Sequence, residues 1–386
     1  MPNTPTPSCD LPQRLLQNAL HDELPAHADC LAVLTDESID TYELVAAAYQ
    51  VRKTHWGRDV TVHILNNAQN GNCPEDCSYC SQAKTSKADI EDYPIKNDEE
   101  ILFEAQKAYE AGAKRYCMVF AGRGPNSLRI KTLERLVRKV KTDYPSLEVC
   151  VSAGLLDDTK AQLLKGAGLD RLNHNLNTGR EHYSEICSTH TYDDRINTLR
   201  SAQRAGLGMC SGLIAGMGET YDELIEIATT LREMGVHSIP VNFLLPIAGN
   251  KLTEVKNLTP EYCLRILCLF RFVCPRAELR AAAGREFHLR SLEPVAMQVA
   301  NSLFLDGYLN TKGKSRKATL TMLKDAGFNI VSDQDLQALI QAEDAPGSGP
   351  YVAQGQDVPI TLDGKTACMK TEEDLRPAQA TDICCS

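Results

Sequence analysis

From about residue 95 to 305 the chain repeats one pattern of apolar and polar positions. An amphipathic stretch of helical period is followed by a small-residue stop and then by a short apolar run of strand length. The helical stretches stop at Ala111-Gly112, Ala167-Gly168, Ala205-Gly206 and Met234-Gly235, where glycine supplies the left-handed residue that closes a helix. Strands are predicted after these stops at 115–121, 170–176, 207–215 and 238–245, with others at 60–65, 148–152, 278–283 and near 302–305. Strands alternating with helices pair in parallel through right-handed crossovers. Roughly eight such units predict an α/β fold of the TIM-type (β/α)8 barrel class, with a doubly wound open sheet as the alternative.

The pattern also divides the chain. Residues 1–45, rich in Leu and Ala without strand alternation, read as an N-terminal helical cap, and residues 46–330 as the barrel. Residues 331–386 read as a C-terminal extension, largely disordered. After about residue 345 an Ala-Pro-Gly-Ser-Gly-Pro run and a polar stretch offer too little apolar surface to offset ordering.

Composition narrows the function. A net charge of -10, without a basic stripe, argues against nucleic acid and favours a small-molecule substrate. The N-terminus lacks the basic start and apolar core of a signal peptide, and no window is apolar enough to span a membrane, so the expected location is the cytoplasm. Fifteen cysteines in a reducing compartment point to metal ligation before disulfides.

Three of those cysteines, Cys73, Cys77 and Cys80, follow the first predicted barrel strand with C-x3-C-x2-C spacing. A structural zinc site closes with four donors, usually in two pairs. Three thiols instead suit a 4Fe-4S cluster with one iron left open for chemistry. The spacing, with an aromatic Tyr79 beside the last cysteine, resembles the signature of the radical S-adenosylmethionine superfamily. That resemblance implies S-adenosyl-L-methionine chelating the open iron and one-electron cleavage to a 5′-deoxyadenosyl radical.

Cys117, Cys150 and Cys210 have no local metal spacing, yet each lies in a predicted strand, and Arg280 lies in a fourth. Residues at matching heights of parallel strands can converge in one lumen. Cysteine is also a common core hydrophobe, so the residues alone leave both readings open. A buried arginine needs a partner in either case.

Six strings carry a closer resemblance: NGNCPEDCSYCSQ (70–82), LNHNLNT (172–178), THTY (189–192), CSGLIAGMGE (210–219), IPVNFL (239–244) and RAAAGRE (280–286). Over residues 45–330 the chain is similar to the biotin synthase family. The resemblance implies a second, 2Fe-2S cluster on Cys117, Cys150, Cys210 and Arg280 whose sulfide passes into dethiobiotin. It further implies that Tyr79, Asn175, Asn177, Arg195, Ile214 and Leu245 bind S-adenosylmethionine. Asn175, Asn242, Phe304 and Thr311 would contact dethiobiotin. Many relatives have Asp at the position of Asn177, and an amide accepts less strongly from ribose hydroxyls. The same resemblance implies a homodimer, a flavodoxin or ferredoxin reductant and iron-sulfur assembly proteins as partners.

Asn173, Asn175 and Asn177 are spaced to alternate along one strand and so share a face. His174, His190 and His288 read as hydrogen-bonded structural residues. Cys9, Cys30, Cys187, Cys263, Cys268 and Cys274 read as packing, and Cys368, Cys384 and Cys385 as free surface thiols.

Overall fold

The computed structural model describes residues 11–245, 247–341, 352–353, 366–367 and 369–376. Three helices, α1 (Leu11–Leu20), α2 (His27–Thr35) and α3 (Thr41–Trp56), precede the first strand. They bury Leu15, Val33, Leu44 and Val51 against the outside of the barrel, where they meet the helix Pro260–Val273. Arg265 of that helix donates to the carbonyls of Val33 and Ile39, among others. A helix end and its following turn otherwise leave such groups without partners.

The strands are β1 (Asp59–Gln69), β2 (Arg115–Phe120), β3 (Glu148–Ser152), β4 (Arg171–Asn173), β5 (Gly208–Cys210), β6 (Leu213–Ala215), β7 (Ser238–Phe243), β8 (Glu278–Ala281), β9 (Ser302–Leu305) and β10 (Asn329–Val331). All pair in parallel, and β1 pairs with both β2 and β9, which closes the ring into an eight-stave barrel with β5 and β6 sharing one stave. The open-sheet alternative is thereby excluded. Strand β10 lies outside the ring on the first residues of β1.

The intervening helices begin at the polar caps the sequence supplies. Asn97, Thr191 and Thr220 each form a reciprocal capping box with the acidic residue three positions on. They end where the glycines were predicted to stop them: Gly112, Gly168, Gly206 and Gly235 all have positive φ.

Two predicted strands are shorter than their apolar runs. The 207–215 stretch is interrupted at Ser211-Gly212, where the backbone of β7 crosses so closely that a Cβ on Gly212 would lie 1.9 Å from the Pro240 carbonyl oxygen. The 170–176 stretch ends at Asn173, and Asn177 adopts a left-handed conformation at φ 73° that asparagine tolerates. The three asparagines therefore do not alternate along one strand.

Most of the C-terminal extension beyond Gln341 lies outside the described residues, as do Cys9, Cys368, Cys384 and Cys385. Within it, Met369 bridges to Thr311, and the Lys370 amide donates to the Asn310 carbonyl at 2.8 Å. Arg376 pairs with Glu100 at 2.6 Å, and Lys312 with Asp374 at 2.9 Å. No described helix is long and apolar enough to cross a membrane.

Candidate active site

The loop that carries Cys73, Cys77 and Cys80 leaves the C-terminal end of β1, the face on which barrels of this class build their sites. It turns through Gly71 and Asn72, both at positive φ, and a Cβ on Gly71 would collide with the Asp92 side chain. The Cys73 amide then donates to the Gln82 carbonyl and the Cys80 amide to the Cys77 carbonyl, folding the loop back on itself. Its three cysteines border a cavity of about 1370 Å³, counting the open mouth, and no other described cysteine does. Three cavity-facing thiols without a fourth fit a 4Fe-4S cluster with one open iron. Burial pushes the Cys80 thiol up to about 11, so the free thiol form prevails until iron binds.

The segment Thr189–Tyr192 locks onto this loop. Asp76 accepts from the Ser188 and Thr189 amides, at 3.0 and 3.2 Å, and from the Ser188 hydroxyl. Glu75 lies 2.5 Å from His190 Nδ1, and Arg195 donates to His190 Nε2 at 2.8 Å. This fixes the tautomer: Nδ1 carries the proton toward the carboxylate, and Nε2 accepts. Arg195 also donates to the Asn175 carbonyl at 2.7 Å and to the Tyr183 hydroxyl. Three of its five N–H groups are thus engaged, and two remain to take an anionic group. His190 is therefore the middle of a chain linking the cysteine loop to Arg195, a connection that lone-residue reading missed. The THTY string was the available signal.

Tyr79, Asn175, Asn177, Arg195, Ile214, Leu245, Asn242 and Thr311 all border the same cavity. Asn177 Nδ2 donates to the Tyr79 hydroxyl at 2.5 Å, and Asn175 Oδ1 accepts from the Gly212 amide at 3.1 Å. Asn242 Nδ2 donates to the Leu213 carbonyl at 2.8 Å, and its Oδ1 accepts from the Ala283 amide at 3.2 Å. Its second N–H reaches the Pro240 carbonyl at 3.5 Å, and one lone pair of Oδ1 stays open. Thr311 Oγ1 donates to the Tyr308 carbonyl. Phe304 does not border this cavity; it sits lower, among the strand thiols.

Those thiols do converge. Cys117 and Cys150 are register partners across β2 and β3, and Asn173 pairs with Cys210 across β4 and β5. The Cys150 thiol is within hydrogen-bonding reach of both Cys117 and Cys210. Arg280 Nη1 lies 3.8 Å from Cys210 Sγ, and its guanidinium stacks 4.8 Å over the Phe304 ring. Cys210 is drawn toward thiolate by the Cys150 hydrogen bond and, against its burial, by Arg280. Arg280 Nε is buried with no partner among the described residues. An orphaned donor beside three clustered thiols is the mark of a site built for a group larger than the side chains themselves. The set fits a small iron-sulfur cluster.

Glu278 was missed from sequence, and it makes the floor electrostatically possible. Its carboxylate takes a bidentate pair from Arg115 at 2.9 and 2.8 Å and a bond from Arg280 at 2.7 Å. Ser238 and Ser302 donate to the same carboxylate. Burial opposes the charge, but Arg115, His63 and Arg280 together hold the carboxyl well below the ordinary range.

Comparison with known proteins follows the same division. The Radical SAM superfamily profile matches residues 70–231, and the Biotin and Thiamin Synthesis associated domain matches residues 240–329. A biotin synthase of Magnetococcus marinus is 55% identical over 316 residues, 82% of this chain and 98% of that protein. One of Acaryochloris marina is 50% identical over 84% of this chain and 93% of that protein. Among solved structures, methylornithine synthase (PylB) superposes with a TM-score of 0.72 at 20% identity, covering 84% of this chain and 99% of that one. The hydrogenase maturase HydG of Carboxydothermus hydrogenoformans superposes with a TM-score of 0.70 at 18% identity, covering 85% of this chain and 81% of that one. These last two share the fold.

Proposed function

The chain belongs to the biotin synthase family, and from that membership we propose how its own residues divide the work. It is a sulfurtransferase that inserts sulfur into dethiobiotin to form biotin, using S-adenosylmethionine and a 4Fe-4S cluster. When bound, the 4Fe-4S cluster on Cys73, Cys77 and Cys80 supplies the electron that cleaves S-adenosylmethionine to a 5′-deoxyadenosyl radical, and a 2Fe-2S cluster on Cys117, Cys150, Cys210 and Arg280 supplies the sulfur.

Every other task falls to side chains. Arg195 offers its two open N–H groups to the carboxylate of S-adenosylmethionine, and its link through His190 to Glu75 fixes the guanidinium relative to the cysteine loop. Ile214 and Leu245 give the apolar walls for adenine and methionine, Asn177 and Tyr79 the ribose contacts. Asn175 stands between that cofactor and dethiobiotin. The open lone pair of Asn242 Oδ1 takes an N–H of a cyclic urea, and the N–H held only by the long 3.5 Å bond to Pro240 turns to its carbonyl. Thr311 guides the aliphatic tail at the cavity edge, and Phe304 meets the substrate only where it reaches down to the strand thiols. Radical transfer needs reactants held near contact with water kept out, which residues from opposite walls of a closed barrel provide.

The observation that carries this reading is the meeting of Cys117, Cys150, Cys210 and Arg280 below a cavity edged by the cysteine loop. The test is anaerobic incubation of the reduced enzyme with dethiobiotin and S-adenosylmethionine. Wild type yields biotin and 5′-deoxyadenosine; Cys150→Ser yields 5′-deoxyadenosine without biotin. Unchanged biotin yield from Cys150→Ser removes the sulfur-site assignment. The electrons come from a flavodoxin or ferredoxin, the clusters from iron-sulfur assembly proteins, and the enzyme works as a cytoplasmic homodimer.

A further inference from the structure

Cys187, which sequence reading assigned to packing, stands against Cys77 and His190 without itself lining the cavity. Its Sγ lies 3.7 Å from Cys77 Sγ and 3.3 Å from His190 Nδ1, and the ligand atoms of all three residues fall within 4.8 Å of one another. All three are buried. Glu75 Oε2 is 2.5 Å from the same Nδ1, and Asp76 Oδ1 is 3.3 Å from Cys187 Sγ.

The two shorter spacings match a metal polyhedron. Zinc-sulfur bonds of about 2.3 Å and zinc-nitrogen bonds of about 2.0 Å, at the tetrahedral angle, place two sulfurs about 3.8 Å apart and sulfur and nitrogen about 3.5 Å apart. Without an ion the same contacts serve as hydrogen bonds, so the three donors are already gathered. We propose that, in the chain without its cavity-side cluster, Cys77, Cys187 and His190 bind one thiophilic divalent cation, with Zn2+ the best match.

The charges balance. Two thiolates neutralise the dication, and Glu75 offsets Arg195. Binding releases the protons of the two thiols, while the imidazole proton moves from Nδ1 to Nε2. Arg195 thereby loses its acceptor on His190 and must turn away.

Cys77 cannot serve this ion and a cluster together. The ion therefore occupies the loop before cluster loading and has to leave for loading to proceed. That exclusion rests on the assignment of Cys77 to the 4Fe-4S cluster; the binding of the ion does not.

The test uses the full chain, prepared anaerobically without clusters and titrated with Co2+ and Zn2+. Wild type should bind one equivalent with a thiolate-to-cobalt charge-transfer band of two-thiolate intensity, displaced by Zn2+. Cys187→Ala and Cys187→Ser should lose that band while still accepting a 4Fe-4S cluster, which also shows that they are folded. A Cys73→Ala/Cys80→Ala variant should keep it. A band that survives in both Cys187 variants, or that disappears from Cys73→Ala/Cys80→Ala, overturns the proposal and moves the ion to the loop thiols. Zinc-loaded wild type should take up the 4Fe-4S cluster only after a chelator is added. Uptake with the ion retained would overturn the exclusion, and the Cys77 assignment with it, while leaving the ion site standing.

Discussion

Glu278 decides whether the barrel floor can exist, since it is the carboxylate that faces the buried guanidiniums of both Arg115 and Arg280. Glu278→Gln leaves Arg280 buried without a carboxylate and Arg115 with Glu148 alone, and removing one partner of a buried pair costs about 3–5 kcal/mol. The expected result is a clear fall in melting temperature, read by calorimetry, with loss of 2Fe-2S but not 4Fe-4S content. The pH dependence follows from the depressed carboxyl. Its contribution is complete above the unfolded carboxylate value of about 4.3 and disappears as pH falls through the lower folded value, so wild type and variant should converge in acid. A gap that stays constant to low pH would mean that the charge contributes nothing. Sequence reading stated that Arg280 needed a partner but did not find it. Glu278 and Arg115 stand at the starts of two strands distant in the chain, and only ring closure makes them neighbours. Cys187 escaped for a related reason, because its partner Cys77 lies 110 residues away.

At the scale of elements, the eight staves were legible because apolar runs and glycine stops are local signals. What was not legible is where a run ceases to be strand. Gly212 is such a point: the neighbouring stave, not its own sequence, sets the break, through the approach of the Pro240 carbonyl. Gly212→Ala forces that crossing apart and displaces the amide that Asn175 accepts from. Overpacking of this kind costs about 1–3 kcal/mol. The denaturant midpoint should drop and the Kd for S-adenosylmethionine should rise; an unaltered midpoint would show that β7 yields freely. The cysteine loop was readable in full because its ligands sit within one turn of chain. The sulfur floor needed a family resemblance, since cysteines in separate apolar strands look like packing until the strands are wound into a ring.

Across the whole molecule, Met369–Arg376 reaches back over the barrel mouth to the Asn310-Thr311 turn, which borders the cavity and in turn holds Asn70 at the root of the cysteine loop. A chain ending at residue 368 should raise the KM for dethiobiotin several-fold, with substrate-free cleavage of S-adenosylmethionine unchanged; an identical KM would make the segment decoration. The floor and the mouth also differ in how much of the chain each requires. The loop thiols come from one turn of chain, whereas Cys117, Cys150, Cys210 and Arg280 come from β2, β3, β5 and β8, spread round the ring. Iron content is therefore a gauge of maturation: a half-wound intermediate lacks the second position, and in protein reconstituted and not yet turned over the ratio of the two clusters follows the fraction of molecules whose barrel has closed.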